Sequence, residues 1–407
     1  MPFIFAVSVE DMSDAPFGFT GGEAEGADLG AMLRQLGDLM SGQTGPVNWN
    51  LAKQAAMQAI GADIGTSAAD AEQIAAAVRL ADVWLDGHSS LPSGVSSTEA
   101  WSRRRWLEAT QPAWSQLVEP VAARVVATFG EAMPEEARTM AAPLMGVMTQ
   151  VGALMFGGQL GQALGALATE VVSSTDIGLS LGPPGLAALL PEGVSAFATG
   201  LEVPLDEVRL FLALREAAHH RLFVHAPWLP ARLVDLVVGY AQGITVDPGR
   251  LEEMARDVDP SDPEALQRAM TEGLFAPEPT EEQKAALVRL ETLLALVEGW
   301  VDSVTLASAS PTLPSIAPLN ESMRRRRASG GPAEATFASL VGLELRPRRL
   351  RDAAALWGLL ATRRGIDARD ALWAHPDLLP TAEDLDDPFA YVDREDGPSL
   401  DISALDT

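Results

Sequence analysis

The chain has 407 residues, 47% of them apolar, which is enough for a large buried core and leaves room for more than one domain. It contains no cysteine, which excludes disulfides, thiolate metal sites and cysteine nucleophiles and agrees with a cytoplasmic setting. A formal charge of -27 argues against nucleic acid as a partner of the whole molecule, because phosphate is repelled by such a field.

In chain order, the apolar opening is short, lacks a basic flank and meets Glu10 and Asp11 at once, the reverse of a signal peptide. Residues 13–27 are rich in glycine and acids, so 1–27 is expected to be a disordered N-terminal segment. A helical N-terminal region follows over 28–135, with candidate helices at 28–40, 48–61, 67–87 and 98–131 separated by Gly, Pro and Ser clusters. The region 136–376 is expected to be a helical core. Within it, residues 139–169 carry no charge, and Gly157, Gly161 and Gly165 recur at every fourth position. Such a run resembles a membrane span with a close-packing face. Gln150, Gln159 and Gln162 interrupt it, however, so the pattern is read as a buried helix pair rather than a membrane element. Gly146, Gly152 and the Gly157–Gly158 pair suggest breaks in that helix.

A short strand is expected around Ile177–Leu181. Strand patterns are otherwise scarce, while Ala, Leu, Glu and Arg dominate, which predicts a mainly α fold with few or no strands. Capping boxes stand at Ser261 with Glu264 and at Thr280 with Gln283, each just before an apolar helical run. Arginines cluster at Arg324–Arg327 and again at Arg346, Arg348, Arg349 and Arg351. In so acidic a chain they are expected to pair with acids on neighbouring surfaces. From Asp377 to Thr407 there are ten acids and one arginine, which reads as a partly disordered acidic C-terminal tail over 377–407.

The segment that draws attention to chemistry is Val208–Leu229. On a helix it places Val208, Phe211, Leu212, Arg215, His219, Leu222 and Phe223 on one stripe, with Glu216 at its edge and His220 well away. Arg215 and His219 thus sit among apolar neighbours, and buried Arg and His are costly unless paired. A partner is offered after Thr280, where Leu287, Leu290, Leu294, Val297 and Val301 define an apolar side. Glu298 falls between the last two and Asp302 lies one turn on. A carboxylate so placed is either a ligand or the counter-ion of a buried cation.

In zincins, H-E-x-x-H on a helix supplies two zinc-binding imidazoles and a general base, and a later helix supplies an acidic third ligand. This chain reads Arg215-Glu216-Ala217-Ala218-His219. The blocks PFGF (16–19), GPVNWNLAKQ (45–54), STDIGL (174–179), EVRLFLALREAAH (207–219), APWL (226–229), EGWVD (298–302), LRPRRLRDAAALW (345–357) and ALWAHPDLLPTAEDL (371–385) carry a wider likeness. They resemble an actinobacterial family of zincin-like proteins labelled hydrolases or zinc-dependent metalloproteases, some linked to deazaflavin-cofactor biosynthesis.

The resemblance implies a zincin-like helical core and a hydrolase of the peptidase class using zinc. In it Glu216 would be the general base, with His219 and Glu298 as metal ligands. Arg215 stands where the first histidine would be, and a guanidinium has no lone pair to give a metal. Three readings follow. Arg215 pairs with Glu298 in place of zinc, giving a non-catalytic scaffold or a binding protein for a protein or peptide. Zinc is held by His219, Glu298 and a further ligand such as Glu216, Asp302 or His225. Or a metal-free hydrolase uses Glu216 and His219 as base and acid. Asp302, His220 and His225 are the supporting candidates around the site.

Overall fold

A computed structural model describes residues 45–132, 135–243, 280–328 and 349–394. The expected disordered segment 1–27, the candidate helix 28–40, the Ser261 capping box, Arg346 and Arg348 lie outside the described residues. The fold is mainly α. Helix α1 (Trp49–Ile60) begins where the Asn48 side chain accepts a hydrogen bond from the Leu51 N–H, and α2 (Ala68–Leu85) opens on a capping box between Ser67 and Asp70. Strand β1 (Ser97–Ala100) leads into α3 (Arg103–Ala132) and α4 (Glu135–Glu170).

The uncharged stretch forms one continuous helix, not the broken one its glycines suggested. Gly157, Gly161 and Gly165 instead line the face that lies against α1. A Cβ on Gly161 would stand 2.3 Å from the Ala52 carbonyl oxygen, and one on Gly157 2.6 Å from that of Asn48. The repeat therefore serves close helix packing within the protein.

Strand β2 (Leu186–Leu189) pairs in parallel with β1, from Ser97 opposite Leu186 to Ala100 opposite Leu189. The strand expected at Ile177–Leu181 is a set of turns and bends. Gly178 takes a φ of 77° there, which ends any extended run. Helix α5 (Pro191–Ala198) is followed by α6 (Leu205–His225) and α7 (Trp228–Gln242), which turns 88° from α6 at the break before Trp228. Helix α8 (Glu281–Ala309) opens on the capping box of Thr280 and Gln283, as its sequence predicts, and α9 (Ile316–Ala328) carries the arginine run.

Helices α10 (Leu350–Arg364), α11 (Ile366–Ala371), α12 (Ala382–Asp386) and α13 (Pro388–Asp393) complete the described residues. The stretch 377–394, expected to begin the acidic tail, is instead folded through α13 and buries Leu385, Tyr391 and Val392. Its acids are used as caps: Asp384 accepts from the Thr381 N–H, and Asp387 from that of Ala390. The described residues, all from Gly45 onward, fall in one compact unit.

The core is built around α6 and α8. Every residue of α6 from Phe211 to Phe223 is buried, as is every residue of α8 from Leu293 to Asp302. The amphipathic pattern of α6 implied one buried stripe. Its surroundings bury the rest as well, because α2, α8, α5 and β2 all pack against it. Helix α8 is long and apolar enough to cross a membrane, but 78% of its apolar window is buried inside the protein, which is what a central core helix requires.

Candidate functional site

Arg215 and His219 lie one turn apart on α6 and face α8. Arg215 Nη2 donates to Glu298 Oε2 at 2.7 Å, while Nη1 lies 3.5 Å from Asp302 Oδ1. His219 Nδ1 donates to the Arg215 carbonyl at 2.9 Å, the i to i+4 step of the helix, which directs Nε2 at Glu298 Oε1 3.0 Å away. The four residues that the helical stripe and the α8 pattern singled out are thus brought together.

Further cations arrive from α9. Arg327 Nη1 reaches Glu298 Oε2 at 2.7 Å, and Arg324 Nη2 donates to Asp302 Oδ2 at 2.7 Å. Arg326 grips Asp176 with both terminal nitrogens, at 2.9 and 2.8 Å, the bidentate geometry that suits a guanidinium. Arg327 Nη2 also donates to the Asp176 carbonyl at 2.8 Å. Gly178 lies against the same carboxylate. A Cβ there would stand 2.8 Å from Glu298 Oε1, so the glycine is needed for space as well as for its φ. The sequence anticipated acidic partners for Arg324–Arg327, but not that three of the four would converge on this buried site.

Burial alone would raise the Glu298 carboxyl. The charges of Arg327, His219 and Arg215 outweigh it and hold the group well below the usual carboxylate range. Asp176 is held below its ordinary value against the same penalty, chiefly by Arg326. Arg215 moves the other way for a base: burial, with Arg327 as a like charge, pulls its guanidinium below its ordinary value despite the opposing pull of Glu298 and Asp302. The cations here are close enough to feel one another.

Glu216 faces the other side of α6 and does not join the cluster around Glu298. Its Oε1 accepts from Ser174 Oγ at 2.5 Å and from the Ala188 N–H of β2 at 3.0 Å, and Oε2 accepts from Thr175 Oγ1 at 2.5 Å. His220 Nε2 lies 3.3 Å from Oε1. Burial works against the charge of Glu216, but the His220 contact and the Ser174 and Thr175 hydroxyls overcome it and bring the carboxyl down to about 2. His220 is therefore a partner of Glu216, and the separation from His219 that its helical position implied holds. His225 is exposed at the end of α6 and is not brought to either cluster. Asp302 belongs to the Arg215 side. Ser174, Thr175 and Asp176 were visible only as part of a family-like block. No periodic signal marks a loop that folds under a helix some forty residues on.

The donor set does not fit the zinc site that the R-E-x-x-H stretch evokes. Zinc sites take three or four side-chain lone pairs at about 2 Å. Here His219 Nε2 and Glu298 are the two candidate donors; they face each other, and Glu298 is also held by the Arg215 and Arg327 guanidiniums. Among the described residues no group of three His, Asp or Glu side chains is placed to hold a metal ion.

A mainly helical protein in which the buried stretch of one helix sets R-E-x-x-H against an acid in the buried stretch of a later helix is zincin-like in design. The chain belongs to the zincin-like metallopeptidase family, whose family model matches residues 47–392. Its fold is similar to that of a candidate hydrolase with a novel fold from Chloroflexus aurantiacus, with a TM-score of 0.60 at 23% identity. The likeness covers 86% of this chain and 100% of that one and, at such identity, speaks for the fold. No curated protein matches the chain.

Proposed function

We propose that this chain keeps the fold of a zincin-like hydrolase but not its zinc chemistry, and acts as a binding or scaffolding protein for a protein or peptide partner. The observation that carries this reading is the 2.7 Å pair between Arg215 and Glu298, at the position where the resemblance expects an imidazole. A guanidinium stays charged at ordinary pH and offers no lone pair, so it blocks a ligand position and supplies the positive charge that a metal would bring. Two observations support it further. Both oxygens of Glu298 have close partners, and Glu216, the expected general base, has its oxygens engaged by Ser174, Thr175 and Ala188. A metal-free acid–base pair of Glu216 and His219 finds no support, since each is held by a different set of partners.

Zinc-dependent peptide hydrolysis is the rival reading, favoured by the family. Metal analysis of the purified full chain separates the two. The expected result is far less than one zinc per chain and a melting temperature unmoved by a chelator. One tightly held zinc per chain would overturn the proposal. The sharper probe is Arg215→His, which restores the expected ligand beside His219 and Glu298 and is expected to gain one zinc per chain.

A further inference from the structure

Four guanidiniums (Arg215, Arg324, Arg326 and Arg327) converge on this site, but the buried carboxylates they meet there are three: Glu298, Asp302 and Asp176. His219 adds no negative charge. In a protein of net charge -27 a cluster in which guanidiniums outnumber the buried carboxylates is unexpected. The surplus is also visible in individual atoms. Among the described residues, Arg215 Nη1, Arg324 Nε and Arg327 Nε are buried donors without a hydrogen-bond acceptor. They belong together: Arg215 and Arg324 share Asp302, and Arg215 and Arg327 share Glu298. The Arg215 side chain is 5% exposed, whereas those of Arg327 and Arg324 are 13% and 29% exposed, so the cluster runs from a buried end at Arg215 towards solvent at α9.

We infer that this arginine cluster is a binding site for a small oxyanion, a carboxylate or phosphate group that enters beside α9 and accepts hydrogen bonds from Arg324, Arg327 and Arg215. Both groups present the paired oxygens that a guanidinium edge recognises, and a negative charge is drawn to a site where guanidiniums outnumber the buried carboxylates. The inference rests on the metal-free reading of the same site and gives it a ligand class. A carboxylate is the form in which a peptide partner would present such a group, and phosphate is the other source.

The test is calorimetric titration of the full chain, at low ionic strength, with acetate and separately with inorganic phosphate. Saturable binding of one anion per chain is expected, and the anion that binds more tightly identifies the source. Arg324→Lys and Arg327→Lys keep the charge and remove the Nε donor, so each is expected to weaken binding at least tenfold while circular dichroism and the melting temperature show the chain still folded. Arg325→Lys, on the outer face of α9, is expected to leave binding unchanged. Absence of saturable binding by either anion at millimolar concentrations overturns the site. So does binding that survives both the Arg324 and Arg327 changes, or that falls equally with Arg325→Lys. Zinc content measured on the same preparations keeps the two questions apart: stoichiometric zinc refutes the metal-free reading, whereas absent zinc with absent anion binding refutes this inference alone.

Discussion

On one side of α6 the Glu216 carboxylate meets two hydroxyls, two backbone N–H groups and one imidazole. On the other, the Glu298 carboxylate meets two guanidiniums and an imidazole. Both acids are fully buried, both are held in the charged form, and they achieve it by different means. Around Glu216 the donors are mostly neutral, short and supplied by a loop and a strand, so any one substitution strands several partners. Around Glu298 the donors are charges in surplus, so the loss of one leaves others in place. Buried charge stabilised by dipoles is brittle, and buried charge stabilised by redundant counter-ions tolerates loss. In an H-E-x-x-H helix the acid and the imidazoles serve one metal. In this chain the corresponding residues belong to two polar clusters that share a helix and the loop Ser174–Gly178.

The comparison predicts an order of stabilities. Glu216→Ala removes the acceptor for Ser174, Thr175 and the Ala188 N–H together and is expected to cost about 3–5 kcal/mol in urea denaturation. A cost under about 1 kcal/mol would mean that the Glu216 side is not the structural one. The acid limb of stability sharpens the same point. Glu216 titrates at about 2 in the folded chain against an ordinary 4.5, and Glu298 also lies below its ordinary value, so the unfolded chain takes up their protons first as pH falls. Their contribution is complete above the ordinary carboxyl range and falls away below it, that of Glu216 being lost by about pH 2. Glu216→Gln is expected to flatten that limb when urea midpoints are followed against pH, leaving the part due to Glu298.

Arg215→Met is expected to cost less, about 1–3 kcal/mol, although it breaks a buried ion pair. Glu298 keeps Arg327 and His219, Asp302 keeps Arg324, and the repulsion between Arg215 and Arg327 is relieved. Should Arg215→Met prove more damaging than Glu216→Ala, the distinction between a brittle and a redundant cluster fails.

How much of this was legible beforehand follows from the range of each signal. Helical periodicity is local, so the pairing of α6 with α8 could be read: two polar residues on an apolar stripe demand a polar partner, and Glu298 stood alone among apolar neighbours. The strands could not be read. STEA and LAAL are four residues each, without alternation or β-branched enrichment, and their pairing joins segments far apart in the chain. The loop Ser174–Gly178 carried no period at all, yet it supplies the partners of Glu216, an acid for Arg326 and the glycine beside Glu298. The arginine run announced that it needed acids. Which acids depended on how a later helix docks, and spacing within the run holds no record of that. The extent of the acidic tail was misjudged because charge composition was weighed, whereas the capping roles of Asp384 and Asp387 depend on single positions.

The smallest expected effect lies within the arginine run. On α9, Arg324 and Arg327 are three residues apart and point into the cluster, while Arg325 is 73% exposed and pairs with Glu321 one turn earlier on the same helix at 3.3 Å. An exposed i,i+4 pair gains little because water screens both charges and ordering two long side chains costs entropy. Arg325→Ala is therefore expected to change the urea midpoint by an amount equivalent to less than about 0.5 kcal/mol. Arg327→Ala, which withdraws a cation from Glu298, is expected to exceed it clearly. Equal effects at the two neighbouring positions would mean that α9 is held by its general positive charge rather than by the particular pairs that its docking creates.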